Sequence, residues 1–319
     1  MRIPWYRLFI LIVLMLMICE QGLADANPES IAASALFDRF ETVFYTKQDI
    51  FSASGTYKGL SELESATLHY PFGLLPGALN SLGKQASAEI LESGEAVLVG
   101  AKDFRAPVGL GQVRSQFCYV VILKSAFELR KYFTTAPSVS AAGSPVWHWS
   151  AKLAEFGRGD PRLSSLYATQ ITETYLLISN RLVELQAVAR RLSSSDQNLQ
   201  TLAKLRDWEF ISQHKLWGYR HYRHTGIVNP VAAGTSVVTS GAEALMFFAD
   251  FEKKVGVLRL LSSVTDEGTP AKINAKAVLP PLKPRGPGVW ETTVPLAGNE
   301  DSSERIFAVM YLFGFGIYV

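Results

Sequence analysis

The chain has 319 residues, with 31 lysines and arginines against 29 aspartates and glutamates and a formal net charge of +2. So even a balance excludes partners captured by bulk charge, nucleic acid first among them. The length allows one large domain or two small ones, each with a proper core.

Residues 1–26 have the three parts of a secretory signal. Arg2 and Arg7 form a basic head, Leu8 to Cys19 carry no charge, and Ala24-Asp25-Ala26 places small residues where signal peptidase reads. Cleavage there leaves Asn27 first and a mature chain of 293 residues, still at +2 because two basic and two acidic residues leave together. Two alternatives are an uncleaved anchor and a lipid on Cys19. Twelve apolar residues are short for a bilayer crossing that needs about twenty, and Ile18 stands where a lipoprotein signal wants a small residue. The expectation is an exported protein, periplasmic or extracellular, with no stable membrane span after cleavage. Only Cys118 then remains, so no intramolecular disulfide forms, and its place in an apolar run makes it a small hydrophobe. Export without disulfides or an Asn-X-Ser/Thr sequon points to a bacterial envelope.

Asn27-Pro28 reads as an N-cap followed by proline in the first turn, and Leu36, Phe37, Phe40, Val43 and Phe44 at helical spacing predict a helix over 28–44. A second helix is expected over 76–92, stopping before Gly94. Ala96 to Val99 reads as a strand, Ala106 to Gln112 as a turn, and Phe117 to Leu123 as a strand that pairs back in a hairpin. Ser125-Ala126-Phe127-Glu128 fits a capping box, so a helix is expected directly behind that strand. Val146 to Trp149 alternates like a strand, Gly157 to Pro161 reads as a loop, and Leu166 to Gln170 with Thr174 to Ile178 flank a tight turn. Asn180 reads as the N-cap of an amphipathic helix carrying Leu182, Leu185, Val188, Ala189 and Leu192 on one face.

Fifty-six residues separate Tyr119-Val120-Val121-Ile122 from Tyr175-Leu176-Leu177-Ile178, and Glu128-Leu129 from Glu184-Leu185. The two strand–helix units read either as an internal duplication or as chance. Ser193 to Asp196 is the first polar break after a long ordered run. It suggests an α+β domain over 27–193 and a β-rich C-terminal subdomain over 199–319. Within the latter, Leu199 to Trp208 reads as helical and Leu216 to His224 as a strand. Leu245 to Phe251 and Val257 to Leu261 read as a hairpin, although Ser240-Gly241-Ala242-Glu243 also fits a helix start. The proline-rich 279–288 reads as an extended connector, and 289–294 and 306–319 read as closing strands, the last a buried strand rather than a membrane element. The expected fold class is α+β, an antiparallel or mixed sheet with helices packed on one face.

No catalytic or cofactor motif stands. Gly77 and Gly83-Lys84 miss a phosphate-binding loop by one residue of spacing and by Gln85 in place of a hydroxyl. Two Ser-x-x-Lys matches, at Ser81 and Ser212, lack any Lys-Thr-Gly or Ser-Asp-Asn partner. His214, His221 and His224 cluster, but on a strand His221 and His224 point to opposite faces and cannot share an ion. No metal and no cofactor are therefore expected. One stretch interleaves aromatic and basic side chains: Trp217, Tyr219, Arg220, His221, Tyr222, Arg223 and His224. One face of such a strand shows Trp217, Tyr219, His221 and Arg223; the other shows Arg220, Tyr222 and His224. Arginine beside aromatic surface suits an anionic or flat small molecule, or an envelope polymer. The plainer reading is a half-buried edge strand kept soluble by its charges. The functional expectation is a non-catalytic binding or structural module of the envelope, with a hydrolase acting on envelope material as the second reading.

Overall fold

The computed structural model describes residues 27–50, 57, 59–102, 116–137, 139–154, 161–194, 199–222, 235–238, 242–263, 272–275, 279–296 and 300–313. The signal-like residues 1–26, the turn at 106–112, the loop at 157–160, Arg223, His224 and residues 314–319 lie outside them.

Helix α1 (Pro28–Phe37) leads into β1 (Thr42–Lys47), followed by α2 (Glu62–His69), α3 (Leu74–Asn80) and α4 (Lys84–Ser93). The hairpin β2 (Gly94–Lys102) and β3 (Gln116–Leu123) comes next. Then β4 (Val139–Ala141), β5 (Ser144–Ala154), β6 (Pro161–Ile171) and β7 (Tyr175–Ser179) meander into α5 (Leu182–Ser193). Two one-turn helices, α6 (Gln200–Ala203) and α7 (Trp208–Ile211), precede β8 (Leu216–His221), β9 (Thr235–Val238), β10 (Ala242–Asp250) and β11 (Val255–Ser262). Strands β12 (Lys272–Ala275), β13 (Lys283–Gly286) and β14 (Val289–Pro295) then run to α8 (Glu300–Leu312).

Twelve strands form one sheet in the order β13-β14-β11-β10-β8-β1-β2-β3-β7-β6-β5-β4, and β9 pairs with β12 in a separate ribbon. Every pairing is antiparallel. The fold is therefore α+β on a large antiparallel sheet. Strand β1 lies between β2 and β8, so the two stretches on either side of Ser193 meet in the middle of one sheet.

Helices cover both faces, which corrects the expectation of one. Alternation along the central strands sends Val43, Tyr45, Leu98, Cys118 and Val120 to one core, with Leu36 of α1, Leu185 of α5 and Ile211 of α7. It sends Phe44, Val97, Val99, Tyr119 and Val121 to the other, with Leu68 of α2, Leu79 of α3, Ile90 of α4 and Val309 of α8. A strand buried on both sides has no polar face, which is why the central strands read as continuous apolar runs.

The internal duplication is not confirmed. Strands β3 and β7 are neighbours, but Tyr119 belongs to one core and Tyr175 to the other, so the aligned residues point to opposite faces. No α-helix follows β3; a single 3-10 turn, Leu129–Tyr132, stands there and buries Leu129 on the face opposite α5.

Other expectations shift in ways the residues explain. Asn27 Oδ1 accepts from Glu29 N at 3.1 Å, as an N-cap does, but α1 ends at Phe37 and Phe44 lies in β1. The run Thr42-Val43-Phe44-Tyr45-Thr46 is β-branched and aromatic, and it favours a pleated strand. The 76–92 helix is two helices, parted at Gly83, whose φ of 123° is open to glycine alone. Residues 306–312 lie in helix α8 rather than in a strand: Ile306, Val309 and Met310 recur at helical spacing and, like Phe313 just after the helix, are buried. The hairpins β2–β3, β6–β7 and β10–β11 form where expected.

Candidate functional site

The interleaved stretch lies in β8 and just beyond it, and β8 is a central strand, flanked by β1 and β10. The edge-strand reading is thus corrected. Trp217 and Tyr219 are 2% and 1% exposed. Trp217 stacks on Tyr45 with centroids 5.4 Å apart, and Tyr219 meets Phe37 edge-on at 5.5 Å. The Tyr219 hydroxyl donates to Arg206 O at 3.2 Å, and burial pushes its pKa up. These two aromatics are core of the face covered by α1 and α7, with no stacking surface left over.

The opposite face of β8 is different. Arg220 Nη1 donates to Leu312 O at 2.9 Å, the last carbonyl of α8, and Thr42 Oγ1 donates to Phe313 O at 3.4 Å. A cation at a helix C-terminus is favoured by the helix dipole, so Arg220 has a structural task. Its guanidinium lies 5.2 Å from the ring centroid of Tyr222. Arg220 Nε and Tyr222 Oη are both buried, and neither has a hydrogen-bond partner among the described residues. Burial raises the Tyr222 pKa, and the charge of Arg220 only partly opposes it, so near neutral pH the hydroxyl keeps its proton and remains a donor. Two buried donors without acceptors, in contact through one cation–π pair, are costly unless another group completes them.

His214 precedes β8 and His221 ends it, and His224 lies outside the described residues. His221 lies at the end of β8, where its backbone N–H donates to Glu41 O at 2.8 Å. The His214 ring meets Phe248 at a tilt, centroids 4.1 Å apart, with Nδ1 3.2 Å from Phe210 O. Among the described residues no three His, Cys, Asp or Glu side chains sit together as metal ligands would.

Sequence reasoning missed a concave region elsewhere in the fold. A cleft of about 510 Å³ lies at the corner between β7 and α5, lined by Gln116, Ser165, Tyr167 and Asn180 to Glu184. Asn180, read as an N-cap, instead accepts from Phe117 N at 3.1 Å through Oδ1, and α5 starts at Leu182 without a side-chain cap. No motif marks these residues. The cleft exists only because β3, β6 and the β7–α5 corner come together in the folded sheet.

No family model matches the chain. No curated protein matches it either. Among solved structures the chain is similar to TP0453. Crystal form I gives a TM-score of 0.37 at 9% identity, over 91% of this chain and 99% of that one. Crystal form III gives 0.36 at 9% identity, over 86% and 96% respectively.

Proposed function

We propose that this is an exported, non-catalytic protein of the bacterial cell envelope that binds a small acceptor-rich, anionic molecule through the Arg220–Tyr222 face of β8. The single observation that carries the reading is the pair of buried donors, Arg220 Nε and Tyr222 Oη, which have no hydrogen-bond partner among the described residues. A ligand oxyanion supplies the missing acceptors, and charge-assisted bonds of this kind are about twice as strong as neutral ones. Export is supported by the basic head, apolar run and Ala-x-Ala site of residues 1–26. The lone cysteine of the mature chain is no nucleophile, being buried with its pKa pushed up, which leaves the hydrolase reading without a supporting group there.

Tyr222→Phe tests the site because it deletes one donor and leaves the ring against Arg220. Removing an unsatisfied buried hydroxyl leaves stability unchanged or raises it by up to about 1 kcal/mol. Thermal shifts with phosphate, sulfate and citrate near pH 7 should show stabilisation of the wild-type protein that the variant loses by about tenfold in affinity. If none of the three anions shifts the melting of wild type, or the variant responds equally, the Arg220–Tyr222 face is only a helix anchor.

A further inference from the structure

We infer that the cleft at the β7–α5 corner is a second ligand site, independent of Arg220 and Tyr222, for a sugar-sized polyhydroxylated molecule carrying one phosphate or carboxylate. Its volume of about 510 Å³ falls within the range of small-molecule sites.

The charge balance selects the anion. The one carboxylate among the described lining residues, Glu184, is already held by Arg39 Nε at 2.9 Å and Lys102 Nζ at 3.3 Å. Arg181, exposed at the same corner, makes no ion pair among the described residues. With the Glu184 charge offset by Arg39 and Lys102, Arg181 is the cation of the described lining left for an anionic ligand.

The uncharged lining selects the body of the ligand. Gln116, Ser165 and Tyr167 bring an amide and two hydroxyls, which donate and accept as sugar hydroxyls require. The Tyr167 ring is held by His148, centroids 4.9 Å apart, and offers a flat wall. Val183 is 66% exposed, the most exposed large hydrophobic side chain among the described residues, and it stands in this lining. An aromatic wall and an apolar contact beside amide and hydroxyl groups match the alternating C–H and O–H faces of a sugar ring.

The corner is also preformed. Asn180 Oδ1 is fixed by Phe117 N, and Ser179 Oγ accepts from Arg181 N at 3.1 Å while donating to Phe117 O. Little ordering is then required on binding, and that lowers its cost.

Titration calorimetry with glucose 6-phosphate, glucuronate, glucose and inorganic phosphate tests the assignment and separates the two anion types. At low salt, glucose 6-phosphate or glucuronate should bind with Kd below about 1 mM, and glucose and inorganic phosphate at least about tenfold more weakly. Arg181→Gln, at an exposed position that leaves the core intact, should weaken the anionic sugar at least about tenfold, whereas Arg130→Gln on the opposite face and Tyr222→Phe should not. The inference is overturned if neither anionic sugar binds below about 1 mM, if glucose or phosphate alone binds as well, or if Arg181→Gln changes nothing. Binding lost in Tyr222→Phe but kept in Arg181→Gln would place the ligand at β8 and leave the β7–α5 corner empty of function.

Discussion

Gly218 of β8 faces Phe44 of β1 across the middle of the sheet, and it has no side chain because the phenyl ring occupies that space. A Cβ on Gly218 would stand 2.6 Å from Phe44 Cζ and 2.8 Å from Cδ1. Phe247 of β10 lies opposite Gly218 from the other side, so the glycine separates two buried rings. Gly218→Ala should therefore destabilise the protein by about 1–3 kcal/mol through overpacking. Gly286→Ala, where nothing lies within 4 Å of the added methyl, should be close to neutral. Urea denaturation of both variants measures the difference, and equal midpoints would show that β1 and β8 are not packed as described.

That pairing also marks the limit of what the amino-acid order reveals. Hairpins such as β10–β11 are legible because both strands and their turn lie within about twenty residues. The β1–β8 seam joins positions such as Phe44 and Gly218, far apart in the chain, and no local pattern announces it. Alternation correctly separates Trp217 and Tyr219 from Arg220 and Tyr222. It cannot tell which face is covered, because the burial of Trp217 depends on Trp208 of α7 and Tyr45 of β1. The misread C-terminus has a different cause. The aromatic and β-branched residues of 306–313 favour a strand by propensity, and burial of Ile306, Val309, Met310 and Phe313 against the sheet overrides that preference.

The thiol of Cys118 should be inert in the folded protein. It is fully buried in β3, and burial pushes its pKa far above the usual thiol range, so almost no thiolate exists near neutral pH. A thiol reagent should fail to label it under native conditions and label it fully in about 6 M guanidinium chloride. Rapid labelling of the native protein would contradict the central position of β3.

Export and processing make a separate prediction. Cleavage after Ala26 gives a chain that begins at Asn27, and Asn27 is also the residue whose side chain caps α1. Intact-mass analysis of the secreted protein should give the 27–319 species with a single cysteine. A product that keeps Met1 or carries lipid on Cys19 would return the chain to the membrane-anchored alternatives.

Glu184 should make stability fall on the acid side. The residue is 7% exposed, and its carboxylate ties α5 to Arg39, just after α1, and to Lys102 at the end of β2. Burial alone would raise its pKa, but the Arg39 hydrogen bond and the Lys102 charge outweigh burial and hold it below the ordinary glutamate value. The unfolded chain, with a glutamate pKa near ~4.3, then takes up the proton before the folded one does. The stabilisation is present above that pH and is lost as pH falls through the lower, folded value. Glu184→Gln removes the charge and keeps the shape, so near pH 7 it should cost about 2 kcal/mol, the worth of a charge-assisted hydrogen bond. The gap between wild type and variant in urea midpoint should narrow steadily from about pH 5 to about pH 3 as the wild-type carboxylate protonates. A gap that stays constant over that range would mean the Arg39–Glu184–Lys102 contact contributes packing alone.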